Sequence, residues 1–324
     1  MNQFRLVFFR KGVLCVPQPS VSRDNGCQVL SIKTPTEFRL SETLHYLTRS
    51  PKEILYQVVD GMIIRYISLS RRKIWLKVSS EDLGALVVRL PFDASEAELE
   101  EVQRFVGEWF DLSRDLVPFY RLAASDEILA PLVRQFYGLR LVRVPDLFEA
   151  LCWAVMGQQI NLEFAYTLKR QFVQAYGSCE MLDGETHWMF PDPGPIARLD
   201  IADLKRLQLT QRKSEYIIGI ARAIDSGQLS KTHLLALGEA EARQQLCQVR
   251  GVGDWTANYV AMRCLGHMSA FPVGDVGLQN AVKQIRGMER KPTPQELLKF
   301  GREWGEWKAY ATFYLWRSLL GALA

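Results

Sequence analysis

Residues 246–266 read LCQVRGVGDWTANYVAMRCLG, and the placement of their glycines decides how the second half of the chain is built. An apolar helix is expected to end at Val249-Arg250, turn through Gly251-Val252-Gly253 and restart at Asp254-Trp255-Thr256-Ala257. Glycine takes positive φ at no steric cost and puts no side chain over the turn, so the N–H groups that open the second helix stay accessible. Ala257 is small where two antiparallel helices must approach closely. Outward from this turn the 3.6-residue period covers roughly 162–176, 201–225, 239–249, 255–265 and 276–285. A last stretch near 294–319 opens on Thr293-Pro294-Gln295-Glu296, with a Thr cap, Pro at the first helical position and Glu at the third. Asp146, with Glu149 three residues on, starts the helix LFEALCWAVMGQQ at 147–159, and Asp93-Ala94-Ser95-Glu96 reads as a capping box ahead of Leu99, Val102, Phe105, Val106 and Trp109.

Before residue 93 the period is two. Residues 54–59 and 62–69 flank Asp60-Gly61, a pair that supplies the positive φ of a type I′ hairpin turn. Arg71-Arg72-Lys73 makes a second polar turn into the alternating run IWLKVSS, residues 85–90 form a further apolar strand, and 41–50 has helical spacing. The expected fold class is therefore α+β. A small antiparallel sheet with helices occupies 1–110, and an all-α region of about ten short helices, with no internal repeat, occupies 111–324.

Apolar residues make up 48% of the 324 and charged residues 23%, a globular balance that excludes a disordered chain. Forty Lys and Arg against 36 Asp and Glu leave a net charge of +4, too mild to argue for an anionic partner without local features. Cys15, Cys27, Cys152, Cys179, Cys247 and Cys264 include no C-x-x-C pair, and His45, His187, His233 and His267 show no ligand spacing. No metal site is expected, and the cysteines read as reduced thiols of a cytosolic protein. The N-terminal MNQFRLVFFRKGVLCV is too short for a membrane span and too charged for a signal peptide, which leaves an ordinary strand.

A helix, a Gly-x-Gly turn and a second helix with bare amides form a helix-hairpin-helix, which grips a DNA backbone without reading bases. Alone, the same pattern serves as a plain tight connection. The stretch AFPVGDVGLQN at 270–280 is more informative, because it places Asp275 after a Gly/Pro-containing loop and immediately before a helix. Hairpin, loop and helix-starting Asp together resemble the helix-hairpin-helix DNA glycosylase superfamily. The likeness extends upstream to AVMGQQI at 154–160 and downstream to Trp304, Trp307 and Tyr310, covering roughly 110–320. The branch it resembles is the DNA-3-methyladenine glycosylase II type, whose members carry an N-terminal α+β domain.

The resemblance implies base excision from duplex DNA, with Asp275 catalytic: an aimed anion stabilises the oxocarbenium character that develops on the sugar and can orient the attacking water. Asp275 also reads as an N-cap, and both roles can coexist. Gly251, Gly253 and Thr256 are placed on the DNA backbone. Trp255, where bifunctional relatives carry a Schiff-base lysine, has no nucleophilic amine, so a monofunctional glycosylase is expected. Trp255 and Tyr259 would shape the base pocket, by stacking on a flipped cationic base; as plain core aromatics they would do neither. Gln159 falls at the duplex wedge, and also reads as an exposed polar residue of a helix-ending turn. The stripe Trp304, Trp307, Tyr310, Phe313, Tyr314 and Trp316 reads as core, with one member reaching the pocket. The competing readings are an 8-oxoguanine-type glycosylase/lyase, against which Trp255 argues, and a non-catalytic DNA-binding module, which would have no use for Asp275. No cofactor is required on this reading, although the resemblance implies a monovalent cation at the hairpin carbonyls. The expected partner is double-stranded DNA with damaged bases, not a membrane, met by a monomer in a bacterial-type cytoplasm at the nucleoid.

Overall fold

The computed structural model describes residues 20–24, 27–80 and 84–321. The strand expected within residues 1–16 lies outside them, as does Cys15. Six strands form one antiparallel sheet in the order β1-β2-β6-β5-β4-β3: β1 (Ser20–Asp24), β2 (Cys27–Lys33), β3 (Tyr56–Val59), β4 (Met62–Ser68), β5 (Lys73–Ser79) and β6 (Ala85–Leu90). Asp60 and Gly61 take φ of 49° and 75°, the double positive φ of a type I′ turn, and pair Val59 with Met62. Alternation buries Ile74, Leu76 and Val78 of β5 and Leu86, Val88 and Leu90 of β6. Against them pack α1 (Leu40–Leu47) and α2 (Glu96–Trp109), the latter through Val102, Val106 and Trp109. The capping box of α2 sits two residues later than expected. Ser95 accepts from the Glu98 N–H and Glu98 reaches back to Ser95, because Asp93 is turned away to pair with Arg23.

The helical part continues through α3 (Val117–Ala124), α4 (Leu129–Gln135), α5 (Leu147–Gly157) and α6 (Leu162–Tyr176). Asp146 caps α5 as read from the sequence. A hairpin then interrupts the helices and corrects the all-helical expectation: β7 (Ser178–Leu182) and β8 (Glu185–Met189) close on Asp183-Gly184, again with two positive φ. Lys77 pairs with Asp183 at 2.8 Å, so this hairpin is tied to the N-terminal sheet. There follow α7 (Pro193–Ala197), α8 (Ile201–Lys205), α9 (Gln211–Asp225), α10 (Lys231–Ala236), α11 (Glu239–Cys247), α12 (Asp254–Val260), α13 (Val276–Ile285), α14 (Pro294–Glu303) and α15 (Lys308–Ser318). The pattern at 201–225 is two helices, because Thr210 caps a fresh start at α9. That at 294–319 is also two, broken at Gly305 with φ 52°. A π-helical turn, Ala261–Leu265, continues α12 and stops at Gly266, φ 74°.

Two hydrophobic cores result. One joins the sheet and α1–α4 to the returning helices α13–α15; the other is built by α5, α6, α9, α11 and α12. A buried ion pair bridges them, Arg65 of β4 to Glu149 of α5 at 3.2 Å, and Lys169 of α6 extends the cluster to Glu149 at 3.4 Å and to Glu53 at 2.9 Å. Such pairs add little net stability but are costly to break singly, so they fix how the cores dock. Trp316 of α15 packs against both cores, which brings the C-terminal helix beside α12. Among the described residues no helix is long and apolar enough to cross a membrane.

Candidate active site

Asp275 is the N-cap of α13, where its Oδ1 accepts the Leu278 N–H at 2.7 Å. The same oxygen accepts the indole N–H of Trp316 at 2.8 Å, and Oδ2 accepts the indole N–H of Trp255 at 3.0 Å. Three elements, α12, α13 and α15, therefore converge on one half-buried carboxylate. An ionised carboxylate offers about four acceptor positions, and three are filled; the position left open is on Oδ2. Two indole N–H donors orient this carboxylate, and among the described residues no cationic side chain pairs with it, so its charge would be available to a neighbouring positive centre.

The rings stand together. Trp255 and Tyr259 are stacked, centroids 5.7 Å apart at 27°, and Tyr259 lies 6.1 Å from Trp316. Trp255 and Trp316 are half-buried, whereas Tyr259 is only 5% exposed and forms the back of the group. Its hydroxyl turns inward, accepting from Arg263 at 3.4 Å, and burial pushes it up to about 12. Tyr259 is thus a neutral wall and no proton donor near neutrality.

Gly251 has φ 91°, and a Cβ there would lie 2.2 Å from the ring of Tyr216, so both backbone and packing demand glycine. Gly253 is exposed and extended, with open space around a would-be Cβ; it is the N-cap of α12, and no side chain caps that end. The unspent N–H groups of the first turn thus face outward from a helix start. The Thr256 hydroxyl is not among the groups on offer: the residue is 2% exposed and its Oγ1 accepts from Gln158 at 3.1 Å. Gln159 sits past the end of α5, exposed, with φ 56°. A glutamine in the left-handed region is uncommon and persists where its neighbours hold it.

The structure thus groups Asp275, Trp255 and Tyr259 at one centre, and joins Gln159 to Gly251 and Thr256 through Gln158. Two residues of this arrangement are not singled out by sequence. Trp316 is visible there only as one member of an aromatic stripe, and Gln158 as part of the motif AVMGQQI. The other five members of the stripe are buried.

Residues 152–306 match the HhH-GPD superfamily of base excision DNA repair proteins, and residues 30–151 match the N-terminal domain of 8-oxoguanine DNA glycosylase. The chain is 46% identical over 294 residues to a DNA-3-methyladenine glycosylase of Bacillus subtilis strain 168, covering 90% of this chain and 97% of that one. It is 31% identical over 181 residues to DNA-3-methyladenine glycosylase 2 of Escherichia coli K12, covering 55% of this chain and 60% of the relative. Among solved structures, the 3-methyladenine DNA-glycosylase of Archaeoglobus fulgidus superposes with a TM-score of 0.78 at 25% identity, over 88% of this chain and 96% of that one. The 8-oxoguanine glycosylase/lyase of Clostridium acetobutylicum shares the fold, with a TM-score of 0.71 at 17% identity over 92% and 97% of the two chains.

Proposed function

The chain belongs to the HhH-GPD superfamily of base excision DNA repair proteins, and on that premise we propose that it removes alkylated bases of the 3-methyladenine type from duplex DNA. The bond broken is the N-glycosidic bond, by water, and the product is an abasic site. The observation that carries this reading is the Asp275 carboxylate, held from three sides by N–H donors and open on Oδ2. Cleavage leaves positive charge on the sugar ring, and an anion fixed in advance beside that ring stabilises the transition state without reorganising. The open Oδ2 position would orient the attacking water and accept its proton.

The other groups act around that step. The faces of Trp255 and Trp316, backed by Tyr259, would receive the flipped base; alkylation at a ring nitrogen makes that base cationic and attractive to a π face. Gln159 would fill the gap left in the stack, and the uncapped amides that follow Gly253 in the first turn of α12 would hold a phosphate, positioning without reading sequence. Residue 255 is an indole whose nitrogen is engaged with Asp275, so the expected chemistry is hydrolysis alone, with no covalent enzyme–sugar link. The Val249 and Gly251 carbonyls each accept one hydrogen bond, from the Val252 N–H at 2.9 Å and from Gln158 at 3.0 Å. Each keeps a second lone pair, which supports the reading that these carbonyls would hold a monovalent cation, supplying only electrostatic attraction for the phosphate. The enzyme would work as a monomer on the bacterial nucleoid, in the cytoplasm.

The test is chromatography of free bases released from methylated duplex DNA. The parent should release 3-methyladenine, and Asp275→Asn should release it at least about a hundredfold more slowly. Near-parental release by the Asn variant would remove Asp275 from the mechanism.

A further inference from the structure

The turn between α5 and α6 carries Gln159 in a strained conformation, so something must hold it there. Three ties do. Lys213 of α9, buried and with no carboxylate partner among the described residues, donates from Nζ to the Met156 carbonyl at 2.8 Å, satisfying one of the last carbonyls of α5. Asn161 caps α6 by accepting the Phe164 N–H at 2.8 Å. Between them, Gln158 donates both hydrogens of its side-chain amide to the hairpin, one to the Gly251 carbonyl at 3.0 Å and one to the Thr256 hydroxyl at 3.1 Å.

We propose that Gln158 is a positioning residue that latches the wedge turn onto the helix-hairpin-helix, so that gripping the DNA backbone and displacing a base act as one mechanical unit. The proposal rests on the reading of Gln159 as the wedge. Gln158 precedes Gln159 directly, and its two acceptors flank Gly253, on either side of the amides offered to a phosphate. A hairpin seated on the backbone therefore fixes the height at which Gln159 enters the stack. The latch also gives Thr256 its role: its hydroxyl is hidden from solvent and acts through Gln158, not on DNA.

The experiment uses the full chain and a duplex with a tetrahydrofuran abasic analogue, beside which 2-aminopurine reports unstacking by its fluorescence. The proteins are the parent, Gln158→Leu, Thr256→Val, the double variant and Gln159→Ala, each checked for folding by circular dichroism. Each neutral hydrogen bond contributes on the order of a fivefold change in equilibrium. Thr256→Val should thus lower the unstacking equilibrium about fivefold and Gln158→Leu about tenfold or more. The double variant should be no worse than Gln158→Leu, because both changes break the same contact. Affinity for undamaged duplex should change little in all of them. Losses that multiply in the double variant, unstacking at the parental level in Gln158→Leu, or an equal loss of undamaged-duplex affinity would each overturn the latch. Gln159→Ala separates the two claims: if it unstacks like the parent, the wedge reading itself is wrong, whatever Gln158 does.

Discussion

Replacing Trp255 by Phe removes the indole N–H and part of the ring area but keeps an aromatic side chain. A phenyl ring there can still stack on Tyr259, so a smaller pocket wall and π face survive, but the N–H donated to Asp275 Oδ2, the one donor to that oxygen among the described residues, is gone. Oδ1 keeps two donors, Leu278 and Trp316, so the carboxylate stays attached to α13 while its outer oxygen is free to swing about the remaining ties. A hydrogen bond to a charged acceptor is worth about 1.5–3 kcal/mol, and a tenfold rate change corresponds to about 1.4 kcal/mol. If the bond serves to aim the charge, Trp255→Phe should slow single-turnover base release about tenfold to a hundredfold, with affinity for lesion DNA nearly unchanged. Trp316→Phe should cost less, because the Leu278 N–H still anchors the same oxygen. The assay is release of 3-methyladenine at saturating enzyme, with binding measured separately on an abasic analogue. A folded Trp255→Phe protein that releases base within about twofold of the parent would show that aiming by the indole contributes nothing, since the lost bond predicts at least about tenfold.

At the hairpin, Gly253→Asp should keep the fold, since its φ of −88° suits any residue and the space is open, yet weaken binding to damaged and undamaged duplex alike. Gly251→Ala should instead lower the melting temperature, because the new methyl meets the Tyr216 ring at a positive φ; that strain is about 1–3 kcal/mol. With the parent protein, borohydride should trap no protein–DNA adduct and strands should break only after hot alkali; a strong trapped band would revive the lyase reading. The Arg72 guanidinium and the Ser95 cap hold the Glu98 carboxyl at about 2, below its ordinary 4.5. The capping box therefore stabilises the fold fully above the unfolded value and loses that contribution as the pH falls toward 2, so Glu98→Gln should flatten the fall in melting temperature across that window.

Asp275→Asn reads differently from sequence and from structure. From sequence, Asn keeps shape and capping and removes only charge. In the structure, an amide cannot satisfy both sides: with its oxygen toward Leu278 and Trp316, its NH₂ faces the Trp255 N–H, donor against donor. The variant loses charge and one tie together, which is why the indole variants are the finer probes.

What the sequence determined by itself was local. Periods of two and of 3.6 residues separated the sheet from the helices. Asp60-Gly61 specified its turn, Asp146 and Thr293 their caps, and Gly251 a hairpin that only glycine can make, because in each case neighbouring backbone sterics decide the outcome. The same kind of signal placed Asp275 at a helix start. It faltered where two local choices competed, as at Ser95 against Asp93, where the Arg23 partner lies on a distant strand, and at β7–β8, where an Asp-Gly turn stood inside a run of helices. Tertiary structure alone decided which side chains meet. Trp316 falls two residues after Tyr314, nearly the opposite side of α15, and only the return of that helix between the two cores aims its indole at Asp275. Likewise the amide of Gln158 meets Gly251 and Thr256 across more than ninety residues of chain. No period or motif encodes such contacts, since they arise from how separately specified helices pack.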